Sequence, residues 1–138
     1  MKVANRILAI VFFGALLSSF TLSTGNSKSA PLNEKPYIIV GQMPHFPGGK
    51  LALNRYISEN LTYPFDALKN NVQGKVNVEF VVDKDGKLTE IKSVGAKLGY
   101  GLEEQAVKVF KAMPKWVPGK QDGIIVPVYM MIPIVFTL

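Results

Sequence analysis

The sequence predicts an α+β domain in which a helix, a β-hairpin, a second helix and a final edge strand follow one another. Three observations predict it. Apolar residues recur at helical spacing after the turn signal Phe46-Pro47-Gly48-Gly49, and the period switches to two after Gly74. The closing stretch Ile124 to Leu138 is uncharged and rich in β-formers, yet interrupted by Pro127 and Pro133.

Leu53, Tyr56, Ile57 and Leu61 place the first helix at roughly Lys50 to Leu61. Pro64 prevents its continuation, leaving room for a further turn over Phe65 to Asn70. The glycine pair before it lacks the leading glycine and the Ser or Thr of a phosphate loop, so it reads as a turn. From Gly74, Val76, Val78, Phe80 and Val82 point one way and Lys75, Asn77 and Glu79 the other, the pattern of a half-buried strand. Asp83-Lys84-Asp85-Gly86 is turn chemistry, and Leu88 to Val94 returns. Counted as a calcium loop from Asp83, Leu88 and Val94 stand where glycine and glutamate are needed, which excludes that reading. Leu88 and Ile91 have opposite parity, so a bulge or a partly covered second face is expected in the returning strand.

Gly99-Tyr100-Gly101 opens the second helix, with a buried stripe of Leu102, Ala106, Val109, Phe110 and Met113. Glu103 and Glu104 lie in its first turn and read as solvated; Lys108 and Lys111 stand toward its end, and Pro114 terminates it. Pro118 to Gly123 is a tight connection into the last strand. Proline has no N–H for a ladder, so a strand carrying two of them belongs at a rim. Pro127 and Pro133 share parity, so both missing donors fall on one edge while the other edge keeps its full set. As a membrane span the stretch is short of the roughly 18 to 20 residues needed.

Lys2 and Arg6 followed by the apolar run Ile7 to Leu17 read as a targeting segment. Extended through Leu22, residues 1–22 read as either a cleaved signal peptide or an uncleaved signal anchor. Residues 23–42 follow as a polar, proline-punctuated tether with Tyr37 to Val40 as a short strand or extended lead-in, and the domain proper is expected over residues 43–138. The chain has a formal charge of +6. Lys2, Arg6 and Lys28 supply half of that ahead of the domain, and the remaining charges are interspersed, which argues against nucleic acid. The absence of cysteine excludes disulfides, thiolate nucleophiles and thiolate metal sites. The single histidine, His45, has no acidic or hydroxyl partner at local spacing. Adjacent Glu103 and Glu104 diverge by about 100° around a helix and do not converge on a substrate. Trp116 and Met130-Met131 read as packing. No reaction centre, cofactor site or metal site assembles, so the protein is expected not to be an enzyme.

The order of elements, with MPHFPGG at the entrance, YPFDALKNNVQGKVNVEFVVDKDG through the first strand, AMPKWVPGKQDG after the second helix and VPVYMMIPIVF at the close, resembles the C-terminal domain of the TonB family of periplasmic energy transducers. The resemblance covers roughly Met43 to Leu138. It implies a three-stranded antiparallel sheet with two helices packed on one face and the last strand at an edge. It also implies that this edge accepts an extended peptide from an outer-membrane receptor by β-augmentation in support of transport, while an N-terminal helix engages inner-membrane proton-driven motor proteins. Partner contact would then involve Val126, Val128, Tyr129, Met130, Met131, Ile132 and Val135; if the donor-rich edge faces the hairpin, the two prolines confine the peptide register between them, around Tyr129 to Met131. Two features differ from the family pattern. The tether is about fourteen residues, at most about 50 Å when extended, and Ile7 to Leu22 holds no histidine. The alternative expectation is a stand-alone or regulatory periplasmic module that forms a homodimer through its last strand. The expected location is the periplasm, with the protein either released by signal cleavage or anchored in the inner membrane.

Overall fold

A computed structural model describes residues 35–138. The expected signal segment and most of the tether therefore lie outside the described residues. The element order is α1 (Gly49–Asn60), α2 (Phe65–Lys69), β1 (Gly74–Val82), β2 (Leu88–Val94), α3 (Leu102–Lys111), β3 (Gly119–Gln121), β4 (Ile124–Val126) and β5 (Val128–Phe136). β2, β1 and β5 form an antiparallel sheet in that spatial order, so β5 lies at an edge; β3 and β4 make a separate hairpin.

The alternation read in β1 builds the core. Val76, Val78, Phe80 and Val82 project from one face and meet Leu53 of α1, Ala67 of α2 and Leu102, Ala106 and Phe110 of α3. Ile134 and Phe136 of β5 join them. Burying each of Phe80, Phe110 and Phe136 stabilises the fold by about 1.5–3 kcal/mol. Phe80 meets Trp116 edge-on at 5.4 Å between ring centroids, and Phe46 meets Trp116 the same way at 6.0 Å. α3 packs over β1 and β2, whereas residues of α1 stand beside β5. The two long helices and short α2 thus cover a single face.

The parity conflict in β2 resolves as a bulge. Val81 pairs with Thr89 but Glu79 with Lys92, so Glu90 and Ile91 together oppose Phe80. Glu90 takes φ 52°, and the inserted residue turns Ile91 back toward the core beside Leu88. The hairpin turn depends on Gly86, at φ +85°, whose carbonyl accepts from Trp116 N–H; a Cβ there would lie 2.0 Å from the Trp116 carbonyl oxygen.

Two sequence expectations are corrected. The closing stretch is not one strand. Asp122 and Gly123, both at positive φ, form a two-residue hairpin loop that turns Ile124–Val126 back onto Gly119–Gln121, and Pro127 separates that pairing from the main sheet. Glu103 is not solvated. It is 8% exposed, and its carboxylate accepts from the backbone N–H groups of Leu98 and Gly99, fastening the loop that feeds α3.

Candidate functional site

The direction of the main-chain groups on β5 follows from its contact with the lead-in. Tyr37 N–H donates to the Pro127 carbonyl at 2.9 Å, and Tyr129 N–H donates to the Tyr37 carbonyl at 2.7 Å, a parallel bridge centred on Val128. Residues 127 and 129 therefore direct their polar groups away from β1. By alternation 131, 133 and 135 do the same, while 128, 130, 132, 134 and 136 face β1. Pro133 pairs with Asn77 in register without owing it a hydrogen bond. Both prolines are turned away from β1, Pro133 on the open part of the edge and Pro127 on the part that Tyr37 covers, and the donor-rich edge faces the hairpin strand.

Beyond Tyr129 nothing among the described residues pairs with that edge. It offers the N–H groups of Met131 and Val135 and the carbonyls of residues 129, 131, 133 and 135, with a gap in donors at Pro133. Met131 and Val135 are 51% and 60% exposed. The other rim of the sheet differs: β2 is bulged and carries Glu90 and Lys92, two devices that blunt an edge against strand addition.

The lead-in is fixed to the domain beyond Tyr37. Val40 is buried with Val126 and Val128 in a small second cluster. Gly41 N–H donates to the Gln121 side-chain oxygen, and Gln42 and Lys120 exchange both main-chain bonds at 3.0 and 2.9 Å. His45 and Val117 do likewise. This arrangement starts the free edge beyond Tyr129, which corrects the register expected around Tyr129 to Met131: the Tyr129 N–H is already bonded to Tyr37, and the open stretch runs past Pro133.

The two faces beside the edge are chemically unlike. On the face away from the helices the Tyr129 hydroxyl donates to the Glu79 carboxylate, and Lys92 reaches the other Glu79 oxygen at 3.0 Å. The hydrogen bonds from Tyr129 and Lys92 hold the Glu79 carboxyl below its ordinary value, and the bond to Glu79 pushes the Tyr129 phenol up. On the helix face two clefts border β5. One, of about 290 Å³, lies between Asn54, Ile57 and Ser58 of α1, with its C-cap Leu61, and Ile132 to Val135. The other, of about 160 Å³, has Phe46, Leu53, Trp116, Met130 and Ile132 in its walls with His45 and Lys50. Ile132 is common to both.

The structure distributes the seven residues expected at the partner surface. Met131 and Val135 are exposed on the open face, and Tyr129 is half-buried there. Met130 and Ile132 are half-buried toward the helices and line the clefts. Val126, in β4, and Val128 are buried side chains beneath Val40. Sequence reasoning did not find the α1 wall, or the capture of the first part of the edge by Tyr37. The β-rich run Tyr37 to Val40 was the available signal for the latter.

Among the described residues no group of three or more His, Asp or Glu could hold a metal ion, and no helix is long and apolar enough to cross a membrane. A polar cleft of about 490 Å³, lined by Ser93, Lys97, Tyr100, Glu104, Lys108 and Lys111 among others, lies beside α3 and away from the β5 edge.

A family model described as Gram-negative bacterial TonB protein C-terminal matches residues 59–138. Two solved structures of the Helicobacter pylori TonB C-terminal domain are similar to the chain. One, of residues 194–285 of that protein, is 26% identical with a TM-score of 0.49, covering 63% of this chain and 90% of the other. The second, of residues 179–285, is 25% identical with a TM-score of 0.48, covering 64% and 78%. No curated protein sequence matches.

Proposed function

The chain belongs to the family of Gram-negative bacterial TonB protein C-terminal domains, and from that premise we propose that it is a non-enzymatic envelope protein that binds an extended peptide of an outer-membrane receptor by β-augmentation and so supports TonB-dependent transport. The observation that carries this reading is the unpaired edge of β5 beyond Tyr129. There an uncharged strand presents outward donors and acceptors beside apolar clefts, while the opposite rim is bulged and charged. Main-chain bonds along such an edge supply affinity, and alternate side chains supply selectivity. The proposed location is the periplasm, with residues 1–22 either removed or retained as an inner-membrane anchor. Retention would allow coupling to inner-membrane motor proteins.

The same exposed Met131 and Val135 favour a second reading, in which two copies pair through β5 as a homodimer. Amide NMR of the protein titrated with receptor plug peptides separates the two. Shifts at Met131 and Val135 of a monomer are the expected result. A stable β5-paired dimer whose amides ignore every such peptide would overturn the transport reading.

A further inference from the structure

Taking the peptide-docking reading as its basis, we infer that the two clefts on the helix side of β5 are side-chain subsites, and that they select an extended partner with apolar residues at positions i and i+2. A strand laid along the free edge alternates its side chains between the two faces of the sheet, and residues two apart on one face stand about 6.8 Å from each other. The clefts follow the two-residue repeat of β5. One flanks Met130 and Ile132, the other Ile132 and Ile134, so neighbouring inward side chains of a docked strand fall on either side of Ile132.

The chemistry of the walls defines the occupant. The larger cleft contains no charged group: Ile57, Leu61, Ile132 and Ile134 supply apolar surface, and Asn54 and Ser58 stand at its margin. The smaller cleft, about 160 Å³, is of the size that takes a benzene-sized apolar group. Its wall includes the rings of Phe46 and Trp116, which supply aromatic surface to an apolar side chain. A charged side chain entering the larger cleft would be taken from water with no counter-charge in the walls, whereas Lys50 at the smaller cleft disfavours a basic side chain there. The intervening residue, i+1, faces the open side of the sheet beside Met131 and the Glu79–Lys92 pair, where a polar side chain remains hydrated. The lead-in fixes the register, because Tyr37 occupies the edge as far as Tyr129 and the docked core must begin beyond it.

The test uses the full chain and two seven-residue probes built of lysine and threonine. One carries valine at two central positions two apart, the other serine at both. Amide shifts at Met131 and Val135 report edge pairing, and emission from Trp116, the sole tryptophan, reports the smaller cleft. The valine probe is expected to bind at least tenfold more tightly and to shift the Trp116 emission. Ser58→Arg, a change at an exposed position on the rim of the larger cleft, is expected to remove about half of the valine probe's preference in free energy while leaving its shift of the Trp116 emission intact. Equal binding of both probes with amide shifts on β5 overturns the subsite inference and leaves the docking reading standing. No β5 shifts with either probe or with any receptor peptide overturns both.

Discussion

Replacing Pro133 with valine restores one N–H donor in the middle of the free edge, and the geometry sets what that donor does in each kind of assembly. The 133 position faces away from β1, so the Asn77 pairing should be untouched and folding stability little changed. An incoming peptide opposite residue 133 gains one main-chain bond, a net contribution of about 0.5–1.5 kcal/mol, or roughly two- to twelvefold in Kd. A second copy is different. Two β5 strands related by a twofold axis through residue 133 oppose that residue to itself, and such a directly opposed pair exchanges two bonds. The gain is then about 1–3 kcal/mol, roughly 5- to 150-fold in the dimer constant. Sedimentation equilibrium of P133V gives the second quantity and calorimetric peptide titration the first. A dimer constant that rises more steeply than peptide affinity is the expected outcome, since proline on an edge acts chiefly against self-pairing. The reasoning fails if the new amide at 133 is protected from hydrogen exchange in the monomer, because the outward orientation would then be wrong. It fails equally if neither constant moves.

Three further outcomes are expected. Truncation to Ile39 removes the Tyr37 bridge; the Tyr129 amide should lose exchange protection and peptide affinity should rise at least roughly two- to twelvefold, the worth of one of the two regained bonds. Glu79 titrates below its ordinary 4.5 in the fold, so its contribution to stability is complete above that pH and is lost as pH falls through the lowered value. Tyr129 titrates above its ordinary 10.0, so its contribution is complete below that pH and is lost as pH rises through the raised value; Tyr129→Phe should abolish the alkaline limb and weaken the acid one in urea melts across pH. Gly86→Ala combines a left-handed φ with overlap on the Trp116 carbonyl and should cost roughly 3 kcal/mol or more by chemical denaturation, whereas a loss below about 1 kcal/mol would show that the turn relaxes freely.

The elements that build the core were legible because their periods are local. The alternation of Val76 to Val82 and the stripe from Leu102 to Phe110 each state one buried face, and the structure puts both in a single cluster. Even the β2 bulge was foreshadowed, since Leu88 and Ile91 cannot share a face without an inserted residue. The Asp122-Gly123 loop was legible in principle, as Asp-Gly between β-formers is a strong hairpin signal, but the uncharged run after it, with two prolines of one parity, has the pattern of a single edge strand. Glu103 escaped because its partners are two loop N–H groups whose position depends on the path between β2 and α3. The clefts escaped for a broader reason: Ile57 and Leu61 lie some seventy-five residues from Ile132 and Ile134, and only the packing of α1 beside β5 brings them together.

Under the transport reading proposed above, the lead-in would determine how the edge responds to load. A pull delivered from the N-terminal side reaches the domain first at Tyr37, held to β5 by two main-chain bonds with a combined net worth of about 1–3 kcal/mol. The next attachment is stronger, because Val40 is buried with Val126 and Val128 and is backed by the bonds of Gly41 and Gln42. Tyr37 should therefore yield before any core contact does. Its release returns the Pro127 carbonyl and the Tyr129 N–H to the row from which a docked strand hangs, so the surface available to the partner grows as the lead-in is drawn away. Had the lead-in been fastened to the helices or to β2, the same pull would have spent itself on core packing without changing the edge. In this chain the segment that would carry load and the strand proposed to carry a partner meet at Val128, which couples them through two hydrogen bonds.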